Sequence, residues 1–106
     1  MKSKYRIVIP GCKRKVAVAE LLEDVLEKKW WLCFIKVSPG KCRGRGYGRK
    51  VLEEVLRDAD REGVTLFLMI HPFGEMTEKQ LSAWYRRNGF RWVKKETYQR
   101  KPKEWV

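Results

Sequence analysis

Carboxylates are scarce in this sequence: 13 Asp and Glu stand against 25 Lys and Arg, a formal net charge of +12. That balance argues against polyamines or other polycations as partners. Histidine occurs once, at His71, and cysteine three times, at Cys12, Cys33 and Cys42, never in a Cys-x-x-Cys spacing. A zinc site of the usual cysteine/histidine type is therefore not expected, and no metal is assigned. An odd, unpatterned cysteine set fits a reduced, cytoplasmic setting. No apolar run approaches the ~20 residues of a membrane span, so no segment is expected to cross a membrane, and no membrane is assigned as a partner. The opening Met1 to Arg6 leads into a run that Pro10-Gly11 ends, which is too short for a signal peptide. Internal repeats, linkers and low-complexity segments are also missing.

What is present supports one small folded domain over residues 1–106. Hydrophobic residues make up 43% and aromatics 12%, enough for a core and too much for global disorder. The positive excess calls for an anionic partner: nucleic acid, an acidic protein, membrane head groups or a phosphorylated cofactor.

Tyr5 to Ile9 reads as a short strand, and Lys13-Arg14-Lys15 as a solvated turn. Val18, Leu21, Leu22, Val25 and Leu26 recur every three or four residues, which predicts a helix over about Ala17 to Lys29. Its other face carries Glu20, Glu23, Asp24 and Glu27. Trp30 to Val37 is nearly all apolar and predicts a strand covered on both faces. A helix over Arg49 to Glu62 places Val51, Leu52, Val55, Leu56 and Ala59 on one stripe and stops at Gly63. Val64 to Ile70 predicts a second buried strand, so strand, helix and strand form a right-handed βαβ unit with parallel strands. After a loop at His71 to Glu75, Thr77 and Gln80 have capping-box spacing, and Met76 and Leu81 that of a hydrophobic staple. The helix that follows carries Leu81, Trp84 and Tyr85 on one face and ends at Asn88-Gly89. Phe90 to Gln99 predicts one last strand, and Arg100 to Val106 a basic tail whose Pro102 cannot extend a central strand.

The stretch between the first apolar strand and its helix, Val37 to Gly48, is rich in glycine and arginine. The first N–H groups of a helix lack internal partners, the dipole is positive there, and glycines let an anion approach the main chain. Arg43, Arg45 and Arg49 add charge at the same point, so the stretch reads as a pyrophosphate cradle. A Walker loop would need Ser or Thr after Gly40-Lys41, where Cys42 stands, and Gly44, Gly46 and Gly48 are wrongly spaced for the dinucleotide fingerprint. Cys42 has no base upstream and is taken as incidental.

The pattern Gln/Arg-x-x-Gly-x-Gly/Ala is met by Arg43, Gly46 and Gly48 after a strand ending Val37-x-Pro39. It resembles the acetyl-CoA motif of the GNAT superfamily of N-acetyltransferases. Ala83 to Phe90, with Tyr85 ahead of Asn88-Gly89-Phe90, and the closing Tyr98-x-Arg100-x-Pro102 extend the resemblance over about Trp30 to Pro102. It implies a mixed α/β (α+β) fold: a mostly antiparallel sheet with two splayed parallel strands, about 30–37 and 64–70, and flanking helices. It implies acetyl-CoA as cosubstrate and an unidentified amine as acceptor. The backbone around Gly44, Gly46, Tyr47, Gly48 and Arg49 would take the pyrophosphate, with Arg43 and Arg45 on the nucleotide phosphates. Main chain of Phe34, Ile35 and Val37 would hold the pantetheine arm, and an N–H near Val37 would polarise the thioester carbonyl. Asn88 belongs to the same cofactor-side motif, and Tyr85 takes the general-acid position.

A general base is harder to assign, because the strand Trp30 to Val37 carries no carboxylate. His71 has a suitable unperturbed pKa, and Glu75 and Glu78 lie nearby in sequence. The front also looks trimmed to one strand and one helix, which would leave a sheet edge for a homodimer to cover. Two further readings stay open. One is a nucleic-acid or ribonucleoprotein binder, with or without catalysis, using Arg86, Arg87, Arg91, Lys94, Lys95, Arg100, Lys101 and Lys103 with Trp84, Phe90 and Trp92 interleaved. The other is a member that binds CoA without turnover.

Overall fold

Near the N-terminus, residues that enter the core alternate with residues that leave it, and that alternation builds three strands. The computed structural model describes residues 1–8, 16–27, 29–37, 46–70 and 77–103. Strands β1 (Lys4–Val8), β2 (Val16–Asp24) and β3 (Lys29–Val37) form an antiparallel meander. Tyr5 lies opposite Ala19, Ile7 opposite Ala17, and Leu21 opposite Leu32, all on one face. The helix predicted over Ala17 to Lys29 is thus a strand and a turn. Ala17, Ala19 and Leu21 are buried at period two, whereas the stripe residues Leu22, Val25 and Leu26 are exposed, Leu26 at 96%. Cross-strand pairing on both sides of β2 outweighs a helical spacing that nothing packs against. The front is therefore a hairpin, not one strand and a helix.

Helix α1 (Tyr47–Glu62) buries the expected Val51, Leu52, Val55, Leu56 and Ala59 and ends at Gly63 in the left-handed region, φ 68°. Strand β4 (Leu66–Met69) returns parallel to β3. Helix α2 (Glu78–Arg87) has its capping box: Gln80 N–H donates to Thr77 Oγ1, and Thr77 N–H donates to Gln80 Oε1. Met76 lies outside the described residues. The predicted last strand is a hairpin of β5 (Arg91–Lys94) and β6 (Thr97–Arg100), turned at Lys95-Glu96 with Lys95 at φ 47°. The Trp92 Nε1–H donates to the Lys95 carbonyl at 2.7 Å across that turn, which carries no glycine or asparagine to mark it in the sequence.

The six strands lie in the order β1-β2-β3-β4-β6-β5. Both helices cover the same face. Tyr98, opposite Leu68, meets Ser82 of α2 hydroxyl to hydroxyl at 2.7 Å, and Arg100, opposite Leu66, donates twice to Asp60 of α1 at 2.8 and 3.0 Å. The second face has no helix over it among the described residues. Strands β3 and β4 are therefore buried on one face only, contrary to the expectation of two: Phe67 is half-buried, and Phe34 and Met69 are exposed.

Candidate functional site

Registers around β3 break at one residue. Glu20 lies opposite Phe34 and the next residue, Leu21, opposite Leu32, so Cys33 is an extra residue with no partner, a β-bulge. Leu32 is buried and Ile35 packs on the core, three positions apart rather than two, while Cys33 and Phe34 are both exposed. A bulge bends its strand and steepens its twist. Pairing of β3 with β4 ends just there: Trp30 registers with Leu66 and Trp31 with Phe67, and no pair follows. Beyond that point, among the described residues, β3 pairs with β2 alone and β4 with β6 alone. The ladder is open between Phe34–Val37 and Leu68–Met69: among the described residues no main-chain pair crosses this wedge. Unpaired backbone of this kind is suited to an extended ligand that adds itself as a strand.

The two helix starts differ in a telling way. The N-terminus of α2 is closed by its own side chains, as above. That of α1 has Gly46 at the cap in the left-handed region (φ 78°), no capping side chain and no acidic residue in its first turn. Among the described residues, a side chain on Gly46 would meet nothing within 4 Å. Tyr47 packs on the core with Lys50 Nζ 5.0 Å above its ring, Gly48 follows in the first turn, and the exposed Arg49 pairs with Glu53 at 3.1 Å. Open N–H groups, positive dipole and basic side chains together favour an anion. Arg43, Gly44 and Arg45 lie outside the described residues.

Tyr85 is 9% exposed, with its ring edge-on to Trp84 (centroids 5.0 Å) and to Phe90 (5.5 Å). Its hydroxyl has no hydrogen-bond partner among the described residues, and burial pushes its pKa up to about 12. It is both a core residue and a retained proton. Asn88 caps α2: its side-chain amide donates to the Trp84 carbonyl at 2.8 Å, and its N–H to Tyr85 O. Ile35 is half-buried, and the backbone of Val37 ends β3 opposite Ala17. His71 and Glu75 lie outside the described residues. Glu78 lines an open groove of about 630 Å³ with Lys79, Ser82, Arg86 and Tyr98, on a flank of α2 that excludes Tyr85. The residue that sequence reasoning missed is Cys33, whose bulge sets where the strands part. In a run as uniformly apolar as Trp30 to Val37 there is no alternation for a bulge to interrupt visibly.

The profile of the acetyltransferase (GNAT) family matches residues 9–90. The chain belongs to that family. A GNAT chain uses acetyl-CoA, which assigns this one acetyltransferase chemistry in general and leaves the acceptor unspecified. Among solved structures, its GNAT fold is similar to the crystal structure of the anti-CRISPR protein AcrVA5, with a TM-score of 0.63 over 92% of this chain and 98% of that one, at 16% identity. No curated protein sequence matches.

Proposed function

We propose that this protein transfers the acetyl group of acetyl-CoA directly to an amine, with the β3/β4 wedge receiving the donor. The observation that carries the reading is the end of strand pairing at Trp31/Phe67, together with the start of α1, the next helix after β3, which has no capping side chain. The residues fit the group: open main chain for an amide-bearing arm, and an open cationic helix start for a pyrophosphate. Acetyl-CoA would supply an acetyl group already activated as a thioester.

In this reading main chain of Phe34, Ile35 and Val37 binds the pantetheine arm in strand fashion. The N–H groups of Tyr47, Gly48 and Arg49, with Arg43, Gly44 and Arg45, hold the phosphates. A main-chain N–H near Val37 draws charge from the reacting carbonyl. Tyr85 keeps its proton through the physiological range and presents it at Oη to the departing sulfur. His71 and Glu75 are the candidates for accepting the amine proton, although positioning a neutral amine against an activated thioester supplies much of the rate by itself. The acceptor class is an amine on a protein, a lysine or an N-terminus, with an acidic surround favoured by the net charge of +12.

Calorimetry with acetyl-CoA, followed by thiol release in the presence of a panel of amines and acidic peptides, tests this. Binding with amine-dependent thiol release is expected. Binding without release would make the chain a CoA-binding member without turnover, and no binding would remove the wedge assignment.

A further inference from the structure

The sheet face that neither helix covers is not a featureless solvent surface. Strand register places Arg6, Val18 and Lys36 in one row across it, Lys4, Glu20 and Phe34 in the next, and Leu22, Trp31 and Phe67 in a third. Met69, Thr97 and Lys94 continue it beyond β4. Trp31 and Phe67 are half-buried, with ring centroids 5.5 Å apart, and Lys29 Nζ sits 4.8 Å from the Phe67 ring. Phe34 is 43% exposed and, because Cys33 is bulged out, lies only two residues of β2 beyond Trp31, about 7 Å at ~3.4 Å per residue. The carboxylates at this face are engaged: Glu20 pairs with Lys4 at 3.5 Å, Asp24 accepts the Glu27 N–H at 3.1 Å, and Glu27 pairs with Lys29 at 3.0 Å.

We propose that this face binds single-stranded nucleic acid, with Trp31, Phe34 and Phe67 as platforms for bases and Arg6, Lys36 and Lys94 on phosphates. The combination selects the ligand. An acidic peptide would satisfy the cations and leave the rings in water. A second copy of this chain would cover the rings but bring like charges together across the interface. A single strand alternates an anion with a flat π-face, and its unpaired bases are free to stack, as those of a duplex are not. The face also borders the wedge, because Phe34 follows the bulge directly.

The test is fluorescence anisotropy of a labelled oligothymidine (~15 nucleotides) with the full chain, at several salt concentrations. Phe34→Ala should weaken binding roughly tenfold, the loss of one stacked base. Lys36→Glu should weaken it more than Arg57→Glu, which makes the same charge change on exposed α1. Circular dichroism establishes that each variant is folded; Lys36 is an exposed side chain, so its reversal remains informative if Phe34→Ala is not. Equal losses for Lys36→Glu and Arg57→Glu would reduce the binding to diffuse net charge and overturn the proposal. So would polyglutamate competing as well as oligothymidine while Phe34→Ala leaves affinity unchanged, an outcome that points to an acidic protein.

Discussion

Replacing Tyr85 with Phe separates its packing in the core from the acid role proposed for it. The ring keeps its edge-on contacts to Trp84 and Phe90, and the lost hydroxyl leaves no partner stranded among the described residues. Stability near neutrality should therefore change by no more than ~0.5 kcal/mol, as for changes outside any bonded network. A general acid contributes about 10²–10⁴ in rate, or ~2.7–5.4 kcal/mol, so kcat for thiol release should fall by that factor. Acetyl-CoA affinity by calorimetry should stay within about twofold, since this proton acts only as the sulfur departs. The alkaline side supplies an independent check. Tyr85 has a folded pKa of about 12, above its ordinary value of 10.0, because burial disfavours the phenolate. Its contribution to stability is fully present below pH 10 and is lost as pH rises through 12, about 3 kcal/mol at 1.36 per unit. Tyr85→Phe should therefore flatten the alkaline unfolding limb. A kcat within threefold of wild type, or a loss of affinity as large as the loss of turnover, would refute the acid role.

Deleting Cys33 should remove the bulge while leaving Leu32 inward, Phe34 outward and Ile35 inward; the chain should fold, gain β3/β4 pairing and lose acetyl-CoA binding by calorimetry. Asp60→Asn should cost about 3 kcal/mol in urea unfolding, because it leaves the Arg100 guanidinium, 4% exposed, without its counter-charge. Burial alone would raise the Asp60 pKa, but hydrogen bonds from Arg100 and the Lys103 N–H bring it below its ordinary value. That stabilisation is present above about pH 4 and is lost as pH falls through the lowered pKa, so the wild-type and variant stabilities should converge in acid. Thr77→Ala should cost about 1 kcal/mol through the lost cap, with unchanged acetyl-CoA affinity.

Where structure depends on neighbours in sequence, it was legible. The stripe of α1 and its stop at Gly63, the Thr77/Gln80 capping box and the parallel pair around α1 all follow from spacings within one element or its ends. The Arg43-x-x-Gly46-x-Gly48 pattern and the Tyr85 to Phe90 segment are local in the same way, and they carry the resemblance to the family that the profile bears out. Val18 to Leu26 misled because a segment with helical spacing becomes a strand when β1 and β3 flank it, and those partners are far away in the chain. The Lys95-Glu96 turn was hidden because a lysine holds the left-handed position that usually announces itself as glycine. Local spacing was enough for α1, for α2 and for the family pattern that implies the acyl donor, and it failed over Ala17 to Lys29. Where β3 leaves β4, and which sheet face the two described helices leave uncovered, emerge from the folded arrangement alone. Both depend on register between strands, and register is a property of paired chains that no single stretch of residues carries.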